Sequence, residues 1–303
     1  MPVLRDVGVW QFIKRVYGQT TEDATFTWAS ALAYSWLFAI FPFFIFLMTL
    51  VPFVLPQSLR ATADHEAAMF LYQTLPKEDA DTVWINLQDF LDQPRGGLLS
   101  IGLLITLFAA SGGINATMHA LDRCYDLPTS RPFWKQRLLA IALTIGVAIM
   151  IILVILLIPV GGIVTRWLGN HADFGPLIWA FNLLRYALAI VLMLGAVGLI
   201  YNYGPNIKQH RNWLSPGAIF TVSVWLLLGL TFQFYVTTFG TTNPTYAAVG
   251  GVAVLLLFFY VDAAVLLIGA EINSEIDFAV TGAPKGTTDF RTKVNAAALD
   301  TKI

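Results

Sequence analysis

A chain of 303 residues with 57% hydrophobic and 12% charged side chains carries about half the charge of an average soluble domain. So few charges cannot cover one or two soluble domains, and a net charge of −1 argues against an extensive nucleic-acid-binding surface. The single Cys124 excludes an intramolecular disulfide and a multi-cysteine metal site.

The charges are unevenly placed. Five stretches contain no Asp, Glu, Lys or Arg: Ala24 to Leu59, Gly96 to Leu121, Leu138 to Thr165, Tyr186 to Ile207, and Asn212 to Val261. Each of the first four accommodates a helix crossing a hydrocarbon core of about 30 Å, which takes about 20 residues. The fifth breaks at Gly240-Thr-Thr-Asn-Pro244 and reads as two spans. All are far longer than the roughly 10 residues of a barrel strand and lack period-two alternation. The expected fold is therefore all-α and polytopic, with six transmembrane helices.

In chain order, residues 1–27 precede the first span. Leu4 to Tyr17 reads as an interfacial helix, with Leu4, Val7, Trp10, Phe12 and Ile13 apolar and Arg5, Lys14 and Arg15 able to meet anionic headgroups. This segment has no short apolar core ending in a cleavage site, so the first span, Trp28 to Leu55, is expected to act as an uncleaved anchor. Pro42 within it frees a backbone carbonyl and serves either as a structural kink or as a gate. Loop 57–97 is acidic, and its Met69, Leu71, Tyr72, Trp84, Leu87 and Phe90 suggest short amphipathic helices lying on the membrane. The second span, Leu98 to Met118, contains Gly112 and Gly113, which allow close helix approach. A basic loop with Arg123, Arg131, Lys135 and Arg137 leads to the third span, Leu138 to Val160. The fourth runs from Leu177 to Tyr201. Tyr203-Gly-Pro-Asn206 and Leu214-Ser-Pro-Gly217 then frame a short turn into the fifth, Leu214 to Val236. The sixth, Ala247 to Ala270, completes a membrane domain over 28–275, and 276–303 reads as a poorly ordered tail.

With six spans the two termini share a side. Thirteen of the 18 Lys and Arg lie on that side and four on the other, with Arg185 inside the fourth span. By the positive-inside rule both termini are expected in the cytoplasm.

Ionisable and polar residues within the spans are the site candidates. A carboxylate near mid-membrane costs about 2.5–3.5 kcal/mol on insertion scales, so it faces a partner or water. Asp262 lies about 13 Å along the sixth helix from Glu271. It shares a helix face with Gly251, Leu255, Gly269 and Asn273, which turns that face into the bundle. Two roles stay open for it: proton, cation or substrate contact, or a hydrogen-bonded tie between helices. Arg185 is either a snorkelling anchor or a contact for an anionic group such as Asp262. Glu271 and Glu275 either pair with the basic loop or gate the domain. Asn243, Pro244 and Tyr246, with Gln233, either line a polar cavity or form a plain tight loop.

Several segments together resemble the YihY/BrkB family of bacterial membrane proteins, formerly labelled ribonuclease BN. They are Ala31-Leu-Ala-Tyr34 with Phe41-Pro42, Ser111-Gly-Gly113, Ala120-Leu-Asp-Arg-Cys-Tyr125 and Arg131-Pro-Phe-Trp-Lys-Gln-Arg137, followed by Tyr203-Gly-Pro-Asn206 and Trp213-Leu-Ser-Pro-Gly-Ala218. Phe239-Gly240, Asn243-Pro-Thr-Tyr246 and Gly269-Ala-Glu-Ile-Asn-Ser-Glu275 complete the set, in order over roughly residues 10 to 280. Pro244 and Asp262 depart from it, standing where small or uncharged residues are expected. The resemblance implies a bacterial inner-membrane protein of six spans, in a family linked to envelope integrity, serum resistance and lipid handling.

A nuclease reading finds no support in the residues. His65, His119, His171 and His210 are scattered, and neither a His-rich metal signature nor a nucleotide-binding glycine loop is present. The expectation is a non-enzyme without metal or cofactor, with membrane lipids rather than nucleic acid as partners. Self-association is left open. Two functions remain: translocation of a lipid or other amphiphile in envelope maintenance, or a non-transporting scaffold for envelope assembly.

Overall fold

The computed structural model describes residues 8–54, 98–127, 131–171, 175–207, 214–239 and 244–281, with positions 68, 69, 72, 77, 80–82, 84 and 85 between the first two stretches. Among these residues every regular element is a helix. In order they are α1 (Val9–Glu22), α2 (Thr25–Val54), α3 (Leu98–Cys124), α4 (Phe133–His171), α5 (Gly175–Tyr203), α6 (Pro216–Phe239) and α7 (Pro244–Thr281). Six of them, α2 to α7, are long and apolar enough to cross a membrane.

Helix ends differ from the hydropathy estimate where polar residues are buried. The last helix, expected to stop near Ala270, continues to Thr281 and packs against both α6 and α1. Its extension carries Glu271, Asn273, Ser274 and Glu275, all buried, so hydropathy alone truncates it. The tail beyond Thr281, Leu4 to Val7 of the interfacial segment, and most of loop 57–97 lie outside the described residues. Within that loop Ala80 is buried and the Tyr72 hydroxyl donates to Asp81 Oδ1 at 2.6 Å.

Helix α1 is amphipathic. Val16 and Thr20 are buried, whereas Trp10, Ile13 and Tyr17 are exposed one turn apart beside Lys14. That exposed stripe has the composition of an interfacial face. The chain then turns at Ala24, whose φ of 49° lies in the left-handed region, before α2 begins.

The chain forms two compact units. One comprises Met1–Ile40, Ser111–Gly146 and Leu194–Ile303, and so holds α6 and α7 entire. Its helices meet through small residues, as expected where lipid is as apolar as the interface. A Cβ on Gly113 would lie 3.0 Å from Ala39 Cβ, so α2 and α3 approach closely there. At the same level the Trp36 indole N–H donates to Thr117 Oγ1 at 3.0 Å. Met118, Ala140 and Leu143 are buried together beneath Leu199 and Tyr203, joining α3, α4 and α5. The other unit comprises Phe41–Ala110 and Val147–Met193. In it Leu183, Leu184, Tyr186 and Val191 are exposed, a lipid-facing surface on α5.

Candidate functional site

Polar chemistry concentrates at the end of the first unit that bears Arg123, Arg131, Lys135 and Arg137, here termed the basic end. Helix α3 stops there in a Schellman motif: Leu127 N–H donates to the Asp122 carbonyl at 2.8 Å and Asp126 N–H to that of Arg123 at 2.9 Å. Asp126 occupies the left-handed position of that motif, with φ 51°, which aspartate tolerates better than bulkier residues. The turn leaves the Asp122 side chain buried, where its Oδ1 accepts the Asn206 backbone N–H at 2.6 Å.

Opposite it, Arg131 clamps the segment that follows α5. Its guanidinium donates to the carbonyls of Gly204 at 2.7 Å, Pro205 at 2.6 Å and Tyr203 at 3.4 Å. A cation there satisfies carbonyls left unpaired at a helix C-terminus and complements the helix dipole. Gly204 is required by close contact: a Cβ would strike the Ile200 carbonyl and lie 2.7 Å from Leu121 Cδ1. Tyr125, the residue after α3, is fully buried. Burial first, then the nearby charge of Asp277, pushes its phenol well above the usual value, so it stays a neutral O–H donor.

The seam between α6 and α7 is tighter still. Pro216 opens α6, where its missing N–H costs nothing. Ser215 Oγ accepts the Ala218 N–H at 3.2 Å, and Asn273, reaching over from α7, accepts the Gly217 N–H through Oδ1 at 2.9 Å. Asn273 Nδ2 also donates to Ser215 Oγ at 3.1 Å. Any Cβ on Gly217 would clash with the Gly269 carbonyl, and one on Gly269 with Thr221 Oγ1 and Tyr201 Oη. Deeper along the seam, the buried Tyr201 hydroxyl donates to the Leu266 carbonyl at 2.6 Å. It also shares a 2.7 Å hydrogen bond with Thr221.

Asp262 lies about 16 Å further along α7 than Asn273. Its backbone carbonyl accepts the Trp225 indole N–H at 3.1 Å, which ties α6 to α7 without using the carboxylate. Oδ1 of that carboxylate is buried and has no hydrogen-bond partner among the described residues. One turn back stand Phe258 and Phe259, the first 4.6 Å from the Phe232 ring and the second 6.4 Å from that of Trp36, centroid to centroid.

The candidates from sequence thus fall into groups. Asn273 and Gly269 pack against α6, as their shared face requires, whereas Gly251 on the same face meets only open space. Glu271 and Glu275 are buried at the basic end. Arg185 belongs to the second unit, where Nη2 donates to the Tyr186 hydroxyl at 3.0 Å and the guanidinium lies 4.8 Å from that ring's centroid. Gln233 is exposed on α6; Asn243 and the Tyr246 side chain lie outside the described residues. Helix α2 continues unbroken through Pro42. Sequence reasoning missed Asp122, Tyr125, Tyr201, Trp225 and Asp277 as site residues. Asp122 and Asp277 sit at span ends, where an acid reads as solvated; the structure instead buries Asp122 and half-buries Asp277.

Among the described residues no group of three or more His, Cys, Asp or Glu side chains is placed to hold a metal ion. The family profile described as Virulence factor BrkB matches residues 16–290. YfkH of Bacillus subtilis, named a ribonuclease-like protein, is 32% identical over 270 residues, covering 87% of this chain and 94% of its own length. A UPF0761 membrane protein of Alteromonas mediterranea is 26% identical over 282 residues, with 91% and 89% covered. Another, from Vibrio campbellii, is 24% identical over 271 residues, with 88% and 82% covered. No solved structure matches. The six spans, the motifs along them and a family match that starts within α1 and covers all six spans lead to one assignment: the chain belongs to the Virulence factor BrkB family of membrane proteins.

Proposed function

We propose that the chain is a translocator of a lipid or other amphiphile, working in the bacterial inner membrane with both termini in the cytoplasm. The observation that carries this reading is the Asp262 carboxylate inside a span, whose Oδ1 is buried without a hydrogen-bond partner among the described residues. A carboxylate that only tied helices together would spend an oxygen on a hydrogen bond to another helix or its flanking segment, as Asp122 spends Oδ1 on the Asn206 N–H. Asp262 instead leaves the tie to its backbone carbonyl and keeps its charge-bearing group available. Placement of the basic end in the cytoplasm rests on the Lys and Arg bias. Nuclease activity is not part of this reading, and RNA incubated with purified protein and divalent metal is expected to stay intact.

The test is lipid analysis of a deletion strain, then reconstitution with whichever species accumulates. Asp262→Asn is nearly isosteric and keeps hydrogen bonding but cannot ionise. It is expected to abolish transport while leaving expression and thermal stability near wild type. Full activity of Asp262→Asn in complementation would remove the case for transport and leave a scaffold.

A further inference from the structure

We infer that Asp262 and the aromatic side chains around it bind the primary ammonium headgroup of an amphiphile. The inference rests on the proposed translocation and names the chemical class of its cargo.

The aromatic residues come from three helices: Trp36 on α2, Phe232 and Trp225 on α6, and Phe258 and Phe259 on α7. Side chains of a helix lean toward its N-terminus, so the Asp262 carboxylate leans toward the turn bearing Phe258 and Phe259. At about 100° per residue those two rings project roughly 40° and 60° to either side of it. Phe232 and Trp36 extend that aromatic surface through their ring contacts with Phe258 and Phe259. The Trp225 indole N–H is spent on the Asp262 backbone carbonyl. Among the described residues Oδ1 is therefore an acceptor without a donor, on a carboxylate beside aromatic rings that are half-buried rather than sealed.

The missing counter-charge cannot come from these helices. None of α2, α6 or α7 contains a Lys, Arg or His. A hard inorganic cation suits the surroundings poorly, because it needs about six oxygen ligands and aromatic rings supply none. The next acid on α7, Glu271, is about 13 Å away along the axis. An ammonium group fits on both counts. Its N–H bonds go to the carboxylate as charge-assisted hydrogen bonds, and its charge is attracted to the ring faces. A primary amine is favoured over a quaternary one because its N–H can donate to the carboxylate, which a trimethylated nitrogen cannot do. The depth of Asp262, well inside the span, suits a headgroup caught in transit between leaflets.

Purified full-length protein in detergent would be titrated with dihexanoyl phosphatidylethanolamine, phosphatidylcholine and phosphatidylglycerol, with adducts read by native mass spectrometry. The ethanolamine lipid is expected to bind about tenfold tighter than the choline lipid, the size of a charge-assisted hydrogen bond. Asp262→Asn should reduce it to the choline level. Phe258→Leu, which keeps the acid, should weaken it about fivefold, as loss of one cation–π contact does. Equal binding of the ethanolamine and choline lipids by wild type would overturn the inference. So would an Asp262→Asn protein that still prefers the amine, and, should that variant not fold, wild-type affinity in Phe258→Leu. A vesicle flipping assay with fluorescent versions of the same lipids separates the two ideas. Amine binding through Asp262 without flipping refutes transport and keeps the site. Flipping that is lost in Asp262→Asn but shows no amine preference refutes the site and keeps transport.

Discussion

Replacing Asn273 by Ala separates a cap from a ligand-binding residue. Its amide makes two bonds at the start of α6, accepting the Gly217 N–H at 2.9 Å and donating to Ser215 Oγ at 3.1 Å. Each is worth about 1 kcal/mol net, and the Gly217 N–H, buried at that position, costs about 1–3 kcal/mol when stranded. Loss of a helix cap by itself costs about 0.5–2 kcal/mol, so Asn273→Ala should destabilise by about 2–4 kcal/mol in all. For a domain of this size that lowers the melting midpoint by about 5–15 °C. Asn273→Asp keeps the acceptor and sets a negative charge at a helix N-terminus, which is favourable by about 0.3–1 kcal/mol. The Ser215 hydroxyl can rotate to donate in place of the lost amide N–H, so Asp should melt within a few degrees of wild type. Thermal unfolding of the purified variants in one detergent, followed by intrinsic tryptophan fluorescence, measures both. Asn273→Ala melting with wild type while losing activity would refute the cap and return Asn273 to the ligand candidates.

Gly269→Ala should reduce folded protein in the membrane sharply, because its Cβ meets Thr221 and Tyr201 at a seam with no room; size-exclusion chromatography of the expressed variant checks this. Arg131→Lys keeps the charge but cannot reach three carbonyls with a planar fork, so a loss of about 1–2 kcal/mol is expected in the same unfolding assay. Ala24→Gly removes side-chain strain at φ 49° and should stabilise by about 1 kcal/mol, seen as a small rise in the melting midpoint. A reporter active only outside the cytoplasm should be active when fused after Asp79 and silent after Gln136; the reverse pattern would invert the proposed orientation.

Six spans and the helical class are legible in the sequence because lipid enforces a rule that composition records directly. A spanning segment must satisfy its own backbone and present apolar side chains for about 20 residues, whatever surrounds it. The same rule made Asp262 conspicuous, since an acid inside such a segment needs a reason. The shared face foretold contact only in part: Gly269 and Asn273 meet α6, whereas Gly251 does not.

Partner identity was out of reach. Asn273 reads only as a polar residue on the face it shares with Asp262 until α6 is seen to start within reach of its amide, and Asp122 as a solvated helix end until Asn206 is found bonded to it. The extension of α7 to Thr281 was hidden for a related reason: hydropathy ends a helix where charges begin, but here the acids are covered by neighbouring helices. Nor could the sequence distinguish Asp262 as a tie from Asp262 as an open acceptor. That depends on where a single indole N–H lands, and Trp225 lies 37 residues away on another helix. Hydropathy is a local property of the chain. Hydrogen-bond partnership in a helical membrane protein is made between helices, and only their packing decides it.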